Sequence, residues 1–380
     1  MRKDIVVADV GSGCMKIGFA GSRTPEHVFP TMLGTPVAGK RVFGLRGLLK
    51  VVRPVVRGRV KSWDAMRLLW DFSFSLLDIK PSSCKVLVTE PLFNTKKDRE
   101  KLAEIMFEYF NVRGLYIAEQ PVLSFYAHGS ETGLIVDIGH GLTQVAPIYE
   151  GFAVPRAARV APLGGGDITL FLVRLLLKRG YNLAGSVGFE IAKDIKERMC
   201  YIALDPEAEA KKMGYALEEE YYRGLPEKER EISKKGLYRL SDGTLLKLGE
   251  ELFMAPEVLF RPSLMRLDAK PLPNLILDSI FSCDIDQRAA LLKNIILCGG
   301  TSLLKGLDKR LEKEMKAILA KKKLKVKPKV VAPRMREFYA WIGASKFALA
   351  LEAGKLWITE RDYREAGPSV VNEKAKPVIH

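Results

Sequence analysis

Two short motifs bring a carboxylate to the end of an apolar run and follow it with paired glycines. Asp9-Val10-Gly11-Ser12-Gly13 closes the run IVVA, and Asp137-Ile138-Gly139-His140-Gly141 closes LIV. The second motif begins 137 − 9 = 128 residues after the first. Each reads apolar strand, D-x-G-x-G, second strand, so the pair looks like two copies of one sheet-based unit. Paired glycines let a hairpin turn bring backbone N–H groups close to an anion with no Cβ in the way. Two such hairpins can grip phosphate groups from both sides. Asp9 and Asp137 would then lie near those phosphates and repel them. A hard divalent cation resolves the conflict, usually Mg2+, which keeps most of its waters and takes few carboxylates. Lys16, on the return strand of the first hairpin, could reach the phosphates as a point charge. Asp-x-Gly is also common turn chemistry, and one copy alone reads as a plain hairpin. The second copy and a third glycine turn, Cys298-Gly299-Gly300-Thr301, reverse that reading. Neither motif runs into a helix or contains G-K-[ST], so neither is a P-loop or a dinucleotide fingerprint.

Around these motifs strands alternate with helices, which argues an α/β fold. Residues 63–77 have helical periodicity, 85–90 (KVLVTE) form a strand ending in an acid, and 98–110 read as an amphipathic helix. GLYIAE is another strand, and Gln120-Pro121 opens a helix where proline's missing N–H does no harm. Leu163-Gly164-Gly165-Gly166-Asp167 leads into a helix predicted from Thr169, and 188–204 read as a further helix. NIILCGGTSLLKG reads strand, glycine turn, helix; KVKPKVVAP reads as a strand and 341–351 as a helix. The polar stretch 206–235 reads as an exposed helix or loop insertion.

The 380 residues suffice for two sizeable domains with full cores. With 47% hydrophobic and 28% charged residues the composition is that of a soluble globular protein. No apolar run is long enough to span a bilayer, and Met1 to Asp4 run into the first strand without a signal-peptide pattern. Five scattered cysteines with no C-x-x-C predict small buried thiols in a reduced compartment. Histidine is scarce, so a His-rich metal site is not expected. The net charge of +16 fits either an acidic partner or a Lys-rich solvated surface. Two clusters keep the first reading open as a weak anionic partner: Arg53, Arg57, Arg59 and Lys61, and the run KKKLKVKPK at 321–329.

Longer segments carry a resemblance. VVADVGSGCMKIGFAG followed by VFP resembles the opening of actin, and LIVDIGHGLTQVAPIYEG its second phosphate hairpin. VTEPLFNTKKDREKLAEIMFEYFNV, DIKERMCYIALD, CDIDQRAALLKNIILCGGTSLLKG and WITERDYREAGPSVV match actin segments in order. The chain is similar to actin and actin-related proteins over nearly its whole length, more than to sugar kinases or chaperone ATPases of that fold. A divergent, Lys-rich member would suit an archaeal homologue. The resemblance implies an actin-like ATPase fold: two ribonuclease-H-like halves, four subdomains in all, around a nucleotide cleft. The halves would be 1–127, with a small lobe at 31–60, and 128–380, with a small lobe at 165–258. The C-terminal helices 338–380 would pack back on the first half. It further implies a cytoplasmic, cytoskeletal protein that binds Mg-ATP, hydrolyses it slowly to ADP, self-associates into filaments and meets actin-binding proteins.

The same resemblance assigns residues. Asp9, Gln120 and Asp137 would hold Mg2+, mostly through water. Gly11, Ser12, Gly13 and Lys16 would contact the β-phosphate side, and Gly139, His140 and Gly141 the γ-phosphate through backbone N–H groups. Lys196 and Glu197 match ribose and adenine contacts, although their spacing alone reads as a solvated helix face. Gly299, Gly300, Thr301 and Leu304 match the adenine-side turn. Gln120, Asp137 and Gln144 form the catalytic set, with Gln120 the main water-orienting residue.

Several positions depart from the family pattern. Gln144 replaces a histidine and is no practical base at neutral pH, which predicts slow hydrolysis. His140 replaces an aspartate and reads as a phosphate ligand, a pH sensor or a solvent-facing turn residue. Glu337 replaces a lysine and Leu304 an aromatic, which alters the adenine wall. The segment from Pro36 to Phe43 is shorter than the actin loop that enters the next filament subunit, and the insertion at 206–235 is longer. Lys346 puts charge beside Tyr126, in the groove used by actin's partners. These changes favour an alternative, a non-polymerising actin-related subunit of a larger complex. No segment supplies the acceptor site that a small-molecule kinase needs.

Overall fold

The computed structural model describes residues 2–36, 49–183, 185–216 and 236–376. The shortened segment between residues 36 and 43 and the greater part of the 206–235 insertion lie outside the described residues; of the insertion, Pro206–Ala216 forms a helix. The strands run in chain order as β1 (Arg2–Val10), β2 (Cys14–Ala20), β3 (His27–Pro30), β4 (Leu33–Pro36), β5 (Leu49–Val52), β6 (Val55–Val56), β7 (Arg59–Val60), β8 (Lys85–Glu90) and β9 (Gly114–Glu119). They continue with β10 (Gly133–Ile138), β11 (Thr143–Tyr149), β12 (Phe152–Ala153), β13 (Arg159–Ala161), β14 (Leu237–Arg239), β15 (Leu245–Lys247), β16 (Ile295–Cys298), β17 (Val330–Val331) and β18 (Ile358–Thr359).

Two sheets organise the molecule. One has the order β18-β9-β8-β1-β2-β3, the other β12-β11-β10-β16-β17 with β13 beside β11. In each, an antiparallel hairpin, β1–β2 or β10–β11, meets a parallel strand, β8 or β16. Parallel neighbours need covered faces, and the strands are apolar on both. Val6, Ala8, Val86 and Val88 pack with Trp70 and Met106 on one side. Ile5, Val7 and Leu87 pack with Trp341, Ala344 and Ala348 on the other. Trp341 Nε1 donates to Val7 O at 3.0 Å, which fixes the helix Tyr339–Ala353 across β1. The second sheet has its own large core, from Leu134 and Val136 to Ile276, Leu297 and Leu311.

The first five α-helices in chain order are α1 (Trp63–Leu76), α2 (Lys96–Glu104), α3 (Gln120–His128), α4 (Gly165–Lys178) and α5 (Gly185–Met199). Several bounds differ from the sequence expectation, each for a visible reason. The helix predicted over 98–110 is α2 followed by a π-turn at Ile105–Tyr109, where Phe110 N–H reaches Ile105 O. That wider turn lets Phe107 stack on Tyr363, with ring centroids 4.7 Å apart. α4 begins at Gly165 rather than Thr169, because Gly165 and Gly166 N–H donate to Gly139 O and His140 O and Asp167 accepts from Gly164 N–H. α5 ends at Met199, and Tyr201 instead bridges to Lys305. Of KVKPKVVAP, Val330–Val331 pair in the sheet; Pro328 and the lysines suit an edge.

Candidate functional site

The two hairpin turns face each other across a cleft of about 540 Å3. Every site residue expected from the sequence lines it. The register explains how two similar motifs came to behave differently. Asp9 stands across the strand pair from Lys16, and Asp137 stands across from Gln144. The interval is again 144 − 16 = 128 residues, so the repeat includes the partner positions.

In the first hairpin Asp9 Oδ2 accepts from Lys16 Nζ at 2.6 Å. Its Oδ1 accepts from Thr89 Oγ1 at 2.6 Å and from Gln120 Nε2 at 2.9 Å. Burial pushes the Asp9 carboxyl up, but the Lys16 charge and these hydrogen bonds outweigh it and hold it below its ordinary value. Burial works against the Lys16 charge in turn, and Asp9, Cys14 and Asp137 together raise the amine above its ordinary value. In the second hairpin no cation faces Asp137 across the strand. Burial, then the Asp9 charge, push its carboxyl up to about 6, and Lys16 and Gln144 offset part of the rise.

Gln144 is buried and divided among three partners. Its Oε1 accepts from Leu92 N–H at 2.7 Å, and its Nε2 donates to Gln120 Oε1 at 3.1 Å and lies 3.5 Å from Asp137 Oδ2. Gln120, first residue of α3, is thereby held between Asp9 and Gln144 at the head of the helix. Sequence reading overlooked Thr89. Period-2 alternation in β8 could have found it: Glu90 turns to Arg99 at 3.1 Å and leaves Thr89 on the side of Asp9 and Gln120.

The backbone donors divide as well. Gly11 and Gly139 N–H close their own turns onto Cys14 O and Leu142 O. Among the described residues, Ser12, Gly13, His140 and Gly141 N–H have no protein acceptor, and they are the donors left for an anion. The turns are too close for side chains: a Cβ on Gly13 would lie 2.7 Å from His140 Cβ, and one on Gly141 2.9 Å from Ser12 Oγ. Gly299, at φ +82°, passes the second carboxylate; a Cβ there would lie 2.3 Å from Asp137 Oδ1.

Two bland readings are corrected. His140 is no solvent-facing turn residue: its half-buried ring lies between Gly13 and Gly166 and meets Phe189 edge to face. Burial, then the charges of Lys196, Arg53, Lys193 and Arg57, push its imidazole down to about 3, so the ring is neutral near pH 7. Lys196 is not on a solvated face; it is buried, with Nζ 3.3 Å from Gly165 O and 3.7 Å from the exposed Glu197. Thr301 Oγ1 donates to Gly139 O at 2.8 Å, tying the third glycine turn to the second hairpin.

The first basic cluster is also corrected, because its arginines are neutralised within the fold. Arg57 forks onto Asp167 at 2.7 and 3.1 Å and reaches Gly141 O at 3.1 Å. Arg53 pairs with Glu190 of α5 at 2.8 Å, and Arg59 with Asn94 at 2.9 Å and Asp98 at 3.4 Å. Gly58 N–H donates to Ser12 Oγ at 2.9 Å, so residues 57 and 58 touch both hairpins. The lysines of 321–329, in contrast, are exposed.

Among the described residues no three His, Cys, Asp or Glu side chains gather as a metal cage, and no helix is long and apolar enough to cross a membrane. The cleft's own donors are two buried carboxylates that repel each other, one amide, and glycine cradles open to an anion. That set fits a hydrated hard cation shared with phosphate. The same paired hairpins, joined by a third glycine turn, agree with the comparison to known families. A family model described as Actin matches residues 2–376, nearly the whole chain, and the chain belongs to the actin family.

Proposed function

We propose that this chain binds Mg-ATP in the cleft, hydrolyses it slowly and uses the bound state to control self-association into cytoskeletal filaments. The observation that carries the reading is the convergence of four unpaired N–H groups from two hairpins on a cleft that holds two buried carboxylates and Lys16. Ser12, Gly13, His140 and Gly141 N–H would take the phosphates, and Lys16 the β-phosphate side. Asp9, Asp137 and Gln120 would hold Mg2+ largely through its waters. The cation would neutralise phosphate charge and relieve the repulsion between Asp9 and Asp137. Lys196 and Glu197 would meet the ribose, and Gly299 to Thr301, Leu304 and Glu337 the base. Gln120 would orient the attacking water, with Gln144 a positioning residue that fixes the Gln120 amide. The proposed halves, dividing near residue 128, would close through the Arg57 and Arg53 pairs.

Titration of nucleotide-free protein with ATP, with and without Mg2+, tests the clamp. Binding that needs neither Mg2+ nor Lys16 would sink it. Filament control is read by pelleting with ATP and Mg2+. One observation favours the non-polymerising alternative: Lys346 Nζ donates to Ala127 O at 3.2 Å beside half-exposed Tyr126, which places charge in the groove. Ordered filaments at micromolar protein exclude that alternative, and persistent monomer excludes assembly. The exposed 321–329 lysines would give any anionic partner a weak, steeply salt-dependent site.

A further inference from the structure

Much of the chain's positive charge comes from one short stretch. Residues 315–336 hold nine lysines and arginines and no carboxylate, against a net charge of +16 for the whole chain. The helix Leu307–Lys321 ends on the first lysine of the run, where a cation complements the helix dipole. The dipole does not account for the others. Lys322 and Lys323 N–H close the last turn onto Ile318 O and Ala320 O, and Leu324 N–H returns to Leu319 O at 3.0 Å. That cap puts Lys323 in the left-handed region at φ 58°, where glycine is the usual residue and a side chain is disfavoured. A lysine charge is thus kept where the backbone would be better served without it.

Beyond the turn, burial alternates. Val326 packs on the core of the second sheet and Pro328 is buried, whereas Lys325, Lys327 and Lys329 are exposed. The segment is fixed from beneath: Lys329 N–H donates to Leu292 O at 2.9 Å, and Glu312 of the preceding helix is taken up by Val330 N–H at 2.9 Å. Among the described residues the six lysines of 321–329 make no ion pair; Lys322 Nζ lies 5.4 Å from the centre of the Phe281 ring. Leu324 stands among them with 42% of its surface exposed.

Unpaired ammonium groups around an exposed leucine suit one anionic partner better than another. Lysine is a hydrated point charge that answers a diffuse field of anions. Nucleic acid is gripped by arginine forks and aromatic stacking as well, and residues 321–329 contain neither arginine nor an aromatic ring. An aliphatic side chain beside lysines fits the boundary between lipid headgroups and acyl chains.

We propose that residues 321–329 dock the protein on an anionic lipid bilayer, with the lysines over the headgroups and Leu324 inserted between them. This deepens the anionic-partner reading of the same lysines and rests on it. None of these residues lines the cleft, so the proposal is independent of the nucleotide clamp.

The test is flotation of the full nucleotide-free chain with phosphatidylcholine vesicles, plain or with about one-third phosphatidylserine, beside anisotropy titration of a labelled DNA duplex. The expected result is binding to the phosphatidylserine vesicles alone of the two, tighter than to the duplex and falling steeply with salt. Each lysine near an anionic surface strengthens binding about fivefold. The triple variant Lys325→Glu, Lys327→Glu, Lys329→Glu should therefore bind at least about a hundredfold more weakly. Leu324→Gln keeps every charge and should weaken vesicle binding about threefold to tenfold, with duplex binding unchanged. Lys323→Gly suits the turn, so it should melt no lower than the wild type yet bind vesicles about fivefold more weakly, which keeps lost folding apart from lost docking. Tighter binding to the duplex, equal binding to both vesicles, or vesicle binding unmoved by Leu324→Gln and Lys323→Gly overturns the bilayer proposal. Binding to neither vesicles nor duplex overturns the anionic-partner reading itself.

Discussion

The two hairpins share a backbone and differ at the position across the strand from the carboxylate. Asp9 faces Lys16, whereas Asp137 faces Gln144. One buried acid is therefore charge-compensated in the ligand-free protein and the other is not. In the proposed clamp the bound cation would neutralise Asp137, so the loaded state would be electrostatically better than the empty one. A symmetric pair with a lysine in both hairpins would lose that coupling.

The largest expected effect comes from removing the compensation. Lys16→Ala leaves Asp9 buried, with Asp137 close by and no cation. Breaking a buried pair by deleting one partner costs about 3 kcal/mol or more. The denaturation midpoint should fall accordingly, and nucleotide binding should be lost. An unchanged midpoint would show that Asp9 does not depend on Lys16.

The opposite sign is expected in the other hairpin. Asp137 has a raised folded-state pKa, about 6 against an ordinary 3.8, so its protonated form is favoured in the fold. Its stabilising contribution is complete below about 4 and is lost as pH rises to about 6. Asp137→Asn should therefore stabilise the ligand-free protein at pH 7 by on the order of 2 kcal/mol, and flatten its melting profile between pH 4 and 6. The same variant should lose the Mg2+ dependence of nucleotide binding. Melting curves against pH, with and without Mg-nucleotide, read both effects.

What the sequence made legible follows from how local each feature is. The D-x-G-x-G repeat and its glycine turns are contiguous, and the strands Lys85–Glu90 and Gly114–Glu119 lie where their apolar pattern predicts. The pairing of Asp137 with Gln144 was within reach too, since a hairpin fixes register once its turn is recognised. Arg57 and Arg59 looked like a free basic patch, because Arg57 is neutralised by Asp167, 110 residues away, and Arg59 pairs with Asp98, 39 residues away. Lys196 looked solvated because helical spacing shows a face but not what packs on it. The early start of α4 is likewise set from outside, by carbonyls of the second hairpin that accept its first N–H groups.

A third, smaller effect separates Gln144 as a positioning residue from Gln144 as a direct participant. Gln144→Leu fills similar volume but leaves Leu92 N–H and Gln120 Oε1 without their partner. One or two lost buried bonds should destabilise by about 1 to 2 kcal/mol. Hydrolysis should slow through loss of Gln120 placement, with nucleotide affinity nearly unchanged. Gln120→Ala should then show the same rate as the double variant. Additive losses in the double variant would mean that the two amides act separately.

The smallest expected effect tests the link between the hairpins. Residues 57 and 58 join them, Gly58 through Ser12 Oγ and Arg57 through Gly141 O and Asp167. Arg57 is about one-third exposed and Asp167 is buried, so water screens part of the pair. Arg57→Lys keeps the charge but loses the planar fork, which meets Gly141 O, Pro162 O and both Asp167 oxygens at once. Stability should change little, because a single cation still faces Asp167. The bound nucleotide should instead escape faster, by about threefold to tenfold, since closure loses its bidentate hold. Stopped-flow displacement of a fluorescent nucleotide measures that rate directly. A release rate equal to the wild type would mean that the hairpins hold the phosphates without help from the clasp. The asymmetry between Lys16 and Gln144 would then carry closure alone.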